Sequence, residues 1–131
     1  MSEKCNPVIW FELPVKDMDR ARRFYGAAFG FELQAPITMG DMKLSFFPME
    51  RDTIGAGGAL IQSANVEPSM QGTTVYFSVP AIDPVLERIT KAGGKTCVPR
   101  TSIGEYGFIA HFQDTEGNRA ALHEMAPSQG G

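Results

Sequence analysis

His111 and His123 are the only imidazoles in the chain, and Glu12 lies about a hundred residues upstream of them. Two histidines and one carboxylate have the composition of a non-haem iron triad. Without a metal, Glu12 and His123 are candidates for general acid–base work, because a carboxylate and an imidazole can each be tuned to exchange protons near neutral pH. A second group is aromatic. Trp10, Phe47 and Tyr76 would form a flat wall suited to a small planar or amphipathic ligand. Both groups become sites only if the backbone turns these side chains towards one another.

The pattern around them says which elements do the turning. In "WFELPV" (10–15) and "TVYFSV" (74–79) apolar and other residues alternate. Phe11, Leu13 and Val15 share one face, as do Val75, Phe77 and Val79, so each stretch reads as a half-buried strand. Trp10, Glu12, Thr74 and Tyr76 take the opposite face. A helix follows each strand. The first has Asp17 as its expected N-cap, a stripe of Met18, Ala21, Phe24, Tyr25 and Ala28, and Gly30 as its stop. The second has Asp83 as expected N-cap and Pro84 at its first position. Its stripe is Val85, Leu86, Ile89 and Ala92, and Gly93 and Gly94 end it.

Three short strands are predicted after each helix, near 31–35, 42–48 and 56–63 and again near 95–98, 106–113 and 119–125. The halves repeat in sequence. "RDTIGAGGALI" (51–61) and "QDTEGNRAALH" (113–123) share five of eleven positions at a spacing of 62. "GDMKLSFFP" (40–48) lies over "GEYGFIAHF" (104–112) at a spacing of 64. On that spacing Phe47 is the counterpart of His111, and Lys43, Ser45 and Phe47 join the working face. Each half is a βαβββ unit that cannot cover its own apolar sheet face, so the two must pack together or onto another chain. "NVEPSMQG" (65–72) reads as the linker.

Composition removes other classes. Aromatic residues make up 10% of 131 residues and hydrophobic residues 43%, enough for a packed core. A net charge of -3 gives no basic stripe for nucleic acid. Lys16, Arg20, Arg22 and Arg23 read as a solvated helix face. No run approaches the roughly 20 apolar residues of a membrane span, and "MSEKCNPVIW" has no signal-peptide pattern. Cys5 and Cys97 fit no metal or disulfide spacing, and a cytoplasmic setting is expected. The tail "APSQGG" is expected to fray. The glycines of "GAGG" (55–58) lack the Lys-Ser/Thr and the helix of a phosphate loop, so a backbone requirement explains them better.

Tandem βαβββ units of this length resemble the vicinal oxygen chelate superfamily, the group of glyoxalase, bleomycin-resistance proteins, fosfomycin-resistance proteins and extradiol dioxygenases. The resemblance is carried by "LPVKDMDRARRFYGAAFGFEL" (13–33), "GGALI" (57–61) and "DTEGNRAALHEM" (114–125), where Thr115 replaces the usual Pro. It implies an α+β fold, a single domain over 1–131. Module 7–64 and module 72–126 would form a cupped mixed sheet with helices outside. A homodimer is implied as well.

In metal-dependent members of that group, ligands project into the cup from equivalent strand positions of both halves. Those positions fall here on Trp10, Ala59, Thr74 and Ala121. None is a strong ligand for a divalent metal, so no cofactor is expected. The expected site is a ligand-binding pocket between the modules, floored by Ala59, Thr74 and Ala121 and walled by Trp10, Phe47 and Tyr76. His111 joins the ligand-binding set, and Glu12 and His123 are the catalytic candidates. The alternative is a lyase, isomerase or dioxygenase with a metal relocated to Glu12, His111 and His123.

Overall fold

A computed structural model of the chain describes residues 6–50 and 52–127. The whole "MSEKC" start with Cys5, Arg51 and the last four residues of the tail lie outside the described residues. The first half comprises β1 (Trp10–Pro14), α1 (Met18–Phe29), β2 (Ile37–Met39), β3 (Met42–Phe46) and β4 (Gly57–Gln62). The second comprises β5 (Tyr76–Ser78), α2 (Ile82–Lys91), β6 (Lys95–Ser102), a 3-10 turn at Gly104–Tyr106, β7 (Phe108–Gln113) and β8 (Arg119–Glu124). Each half is a four-stranded mixed sheet, in the orders β1-β4-β3-β2 and β5-β8-β7-β6. The first strand of each half pairs in parallel with the last. This is the α+β arrangement expected from the repeat.

One core unites the halves. Leu13, Val15, Phe24, Tyr25 and Leu60 from the first belong to the same buried cluster as Val79, Ile82, Ile89, Phe112 and Leu122 from the second. The helices pack on the same sides of their sheets and reach across. Phe24 of α1 lies 6.1 Å from Phe112 of β7, and the Arg88 Nε of α2 donates to the Ala28 carbonyl at the end of α1, 2.9 Å away. Burial of this apolar surface, at about 25 cal/mol per Å², is what neither half could achieve alone.

The helix ends follow chemistry that is partly local. Asp17 caps α1 by accepting from the Arg20 amide at 3.0 Å, and Gly30 closes it with φ 73°. The expected Asp83 cap of α2 is not found. The helix starts two residues earlier, at Ile82, with Ala81 at the cap position and no side-chain cap of its own. Glu124, at the end of β8, supplies the acceptor instead, taking the Ile82 amide at 2.9 Å. Gln62, at the end of β4, does the same for the Met18 amide of α1 at 3.1 Å. The basic cluster on α1 is not simply solvated. Arg20 pairs with Glu116, and Arg22 donates to Ser45 and to the Leu33 carbonyl.

The strand predicted near 31–35 lies instead at 37–39. Phe31 and Leu33 are drawn into the core, Gln34 makes a single backbone–backbone bond to β3, and Pro36 has no amide to donate to a ladder. The "GAGG" glycines meet a backbone requirement. In the β1–β4 register Trp10 faces Gly57 and Phe11 faces Gly58. The Phe11 ring lies so close over β4 that a Cβ at Gly58 would collide with it, and one at Gly57 would meet the Met49 sulfur at 2.9 Å and the Trp10 ring at 3.4 Å.

Candidate functional site

Between the edge strands β1 and β5 lies a cavity of about 770 Å³. Trp10, Glu12 and Pro14 line it from one side and Thr74, Tyr76 and Ser78 from the other. Asn118 closes one end, where its side-chain amide donates to the Pro14 carbonyl at 2.7 Å. Arg119 lines the cavity too and holds the linker, donating to the Met70 carbonyl at 3.2 Å.

The gap between the two strands thus brings Trp10, Glu12, Thr74 and Tyr76 to one space, together with Phe11, Leu13, Val75 and Phe77 from the alternate positions. The other expected members lie elsewhere. Ala59 and Ala121 are completely buried and do not floor the cavity, because larger neighbours cover them. Tyr76 and His111 face Ala121 from the strands on either side of β8. Over that small residue the Tyr76 hydroxyl and His111 Nε2 meet at 3.1 Å. In the first sheet Glu12 and Phe46 flank Ala59 in the same way, and the Trp10 ring stands edge-on to Phe46 at 5.6 Å. The space expected from small residues is filled by bridging pairs.

Phe47 is on the wrong face for a cavity wall. It is buried in the shared core, 5.4 Å from Phe11 and 5.6 Å from Tyr25. Ser45 shares its orientation and donates to the Gln34 carbonyl at 2.6 Å. The residue opposite Ala59 is Phe46, and the residue opposite Ala121 is His111. The true spacing on this strand is thus 65 (111 − 46), not 64. A slip of one position exchanges the two faces of a strand.

The metal alternative at Glu12, His111 and His123 fails on geometry. Among the described residues no three His, Cys, Asp or Glu side chains come together as a metal site requires. Glu12 belongs to the first sheet and accepts from the Trp10 indole at 3.3 Å. His111 and His123 belong to the second sheet, each with its own partners. His123 Nε2 donates to the Tyr106 carbonyl at 2.7 Å. His111 Nδ1 lies 3.3 Å from a guanidinium nitrogen of Arg119. Burial first, and then the Arg119 charge, lower the His111 pKa below its ordinary 6.5. Trp10, Ala59, Thr74 and Ala121, the positions to which the resemblance assigns metal ligands, offer no imidazole, thiolate or carboxylate. These residues do not fit a catalytic metal. Sequence reasoning missed Arg119 and Asn118. The alternation that put Ala121 and His123 on the working face also puts Arg119 there.

Paired βαβββ sheets with a cavity between their first strands define a class, and comparison with known proteins agrees. Residues 8–44 match the family model for the bleomycin resistance protein-like N-terminal region. A glyoxylase-like domain-containing protein of Didymella fabae is 32% identical over 114 residues, covering 85% of this chain and 88% of its own. Among solved structures, a glyoxylase/bleomycin resistance protein/dioxygenase domain from Frankia sp. EAN1pec superposes with TM-score 0.72 at 18% identity, over 94% of this chain and all of that one. TnmS3, an antibiotic binding protein from Streptomyces sp. CB03234, superposes with TM-score 0.67 at 21% identity, over 95% and 100%. The chain spans only 46% of maize glyoxalase I and 43% of a mycobacterial putative glyoxylase that it also matches. The chain belongs to the glyoxalase/bleomycin-resistance group of the vicinal oxygen chelate superfamily.

Proposed function

We propose that the protein binds a small, flat organic molecule in the cavity between β1 and β5, and that it does so without a metal. The observation that carries this reading is the cavity itself, with an indole on one wall and a phenol on the other. Its volume lies within the usual range for small-molecule sites. Trp10 is the aromatic anchor, and it keeps 40% of its surface exposed, so it is available to a ligand. The donor-poor set Trp10, Ala59, Thr74 and Ala121 supports the metal-free part. TnmS3, of the same fold, is an antibiotic binding protein, which supports binding over turnover as the reading here. Glu12, the one carboxylate on the Trp10 face of β1, already holds the Trp10 indole.

A homodimer and a cytoplasmic setting belong to the same proposal. Ile37 and Met39 on the edge strand β2 are exposed, the kind of apolar edge that a second copy covers. Among the described residues no helix is long and apolar enough to cross a membrane.

The test is a thermal-shift screen of metabolites and antibiotics. A ligand present at 100 times its dissociation constant stabilises by about 2.7 kcal/mol. Trp10, the only Trp in the chain, should report binding by its fluorescence, and Trp10→Ala should weaken binding by roughly 1–3 kcal/mol. Unchanged affinity in that variant would remove Trp10 as anchor. A stoichiometric transition metal in protein purified without a His tag would overturn the metal-free part.

A further inference from the structure

Resting on that binding reading, we propose that Tyr76 orients the ligand, and that its hydroxyl faces the cavity as a hydrogen-bond donor. The ligand it selects is a flat molecule with a carbonyl-type acceptor oxygen. Three side chains on three adjacent strands fix this polarity. They are Arg119 at the start of β8, His111 on β7 and Tyr76 on β5.

The chain of reasoning starts at Arg119. A guanidinium carries donors and no acceptor. Its Nη1 lies 3.3 Å from His111 Nδ1, so Nδ1 must accept and carries no proton. A neutral imidazole with a bare Nδ1 holds its proton on Nε2. That nitrogen is 3.1 Å from the Tyr76 oxygen, so the histidine donates and the phenol accepts. The Tyr76 proton is then left over. Among the described residues the hydroxyl has no other partner than His111. A phenol that accepts an N–H bond is polarised into a stronger donor.

Tyr76 lines the cavity and His111 stands outside the lining, so the relay holds the hydroxyl from the β7 side of the sheet. Ala121 makes the relay possible. It lies between Tyr76 and His111 in the strand register, and a larger side chain there would hold them apart. Two of the Arg119 donors are engaged by His111 and the Met70 carbonyl, and on the β5 wall Tyr76 is the hydroxyl whose donor polarity this relay fixes. Glu12, on the β1 wall, is an acceptor. A donor thus stands on the β5 wall and an acceptor on the β1 wall, and a bare hydrocarbon would answer neither.

The matched probes are 9-fluorenone and fluorene, which share one ring skeleton and differ in the carbonyl. In equilibrium dialysis the native protein should bind 9-fluorenone about tenfold more tightly than fluorene, the worth of one good hydrogen bond. Tyr76→Phe should abolish that preference by weakening 9-fluorenone binding about tenfold. Equal affinities in the native protein, or a preference that survives Tyr76→Phe, would overturn the inference while leaving the binding reading intact. Binding of neither probe would count against both. Nitrogen-15 NMR of labelled histidine gives a second readout, with the two rings told apart in His123→Gln. His111 should carry its proton on Nε2 and none on Nδ1. A ring protonated on Nδ1 would refute the relay directly.

Discussion

The hydroxyl of Tyr25 on α1 lies 2.7 Å from Oδ2 of Asp114 in the turn before β8. A side chain of the first half thus donates into the closing turn of the second, inside the core. Asp114 also gathers the amides of Glu116, Gly117 and Asn118 on its other oxygen, at 2.8–2.9 Å. Burial, followed by the Asp114 charge, pushes the Tyr25 pKa well above its ordinary 10.0, so the phenol stays a donor into alkaline solution. Tyr25→Phe keeps the ring and removes one donor from a buried carboxylate. The expected loss is about 1–3 kcal/mol in urea unfolding, with an unchanged slope.

Glu116 ties the same turn to the start of α1. It accepts the Lys16 and Asp17 amides, each at 2.8 Å, and both arms of the Arg20 guanidinium. Burial acts to raise its pKa, but the Arg20 bond and the two amides outweigh it and hold the carboxyl below its ordinary 4.5. A carboxyl depressed in the folded state stabilises fully above its unfolded pKa and loses that contribution as pH falls through the folded value. Stability measured from pH 7 downwards should therefore drop in the acid range in the native protein and drop less steeply in Glu116→Gln. At neutral pH that variant should be less stable by about 2–4 kcal/mol, because the paired charge is lost while its buried partners remain.

Phe46 and Phe47 are neighbours that face opposite ways, and alanine should separate them. Phe47 is 5% exposed within the shared core, so Phe47→Ala should cost about 3–5 kcal/mol. Phe46→Ala should cost less in stability. It removes the edge-on partner of Trp10 and should shift the tryptophan emission, which Phe47→Ala should not. The reverse pattern in the two variants would show that the strand register is wrong.

Gly58→Ala tests the close approach of β1 to β4. The added methyl must displace the Phe11 ring, and overpacking of this kind typically costs about 1–3 kcal/mol. Pairing it with Phe11→Leu should recover part of the loss, measured as a coupling between the two changes.

Much of this fold could be read in advance because its signals are local. The alternation in β1 and β5, the stripe of α1 and its Asp17 and Gly30 ends each depend on neighbours within one turn or one strand. The repeat then extended those readings from one half to the other. The failures arose where the answer depends on something distant or on a single position. Asp83 was passed over because Glu124 arrives from the far end of the half. Phe47 reads as a cavity residue only because one extra residue, invisible in a gapless comparison, turns β3 over relative to the repeat spacing. Ala59 and Ala121 suggested empty space, but strand register lets Phe46, Tyr76 and His111 close over them. Arg119 was within reach of the same alternation that identified Ala121. Its bond to His111 was not, since that requires two strands to be laid side by side.

The start of α1 has a consequence for the order in which the chain is made. Its first amides wait for acceptors that are synthesised much later. Gln62 follows Met18 by 44 positions, and Glu116 follows Asp17 by 99. A ribosome releasing this chain holds the first helix with its amino end unfinished until almost the last strand has emerged. α2 waits 42 positions for Glu124. A stalled or clipped chain that ends anywhere before residue 116 leaves Arg20 and the two leading amides without their carboxylate, whatever else has folded. Completion of the second half is thereby registered at the entrance to the first.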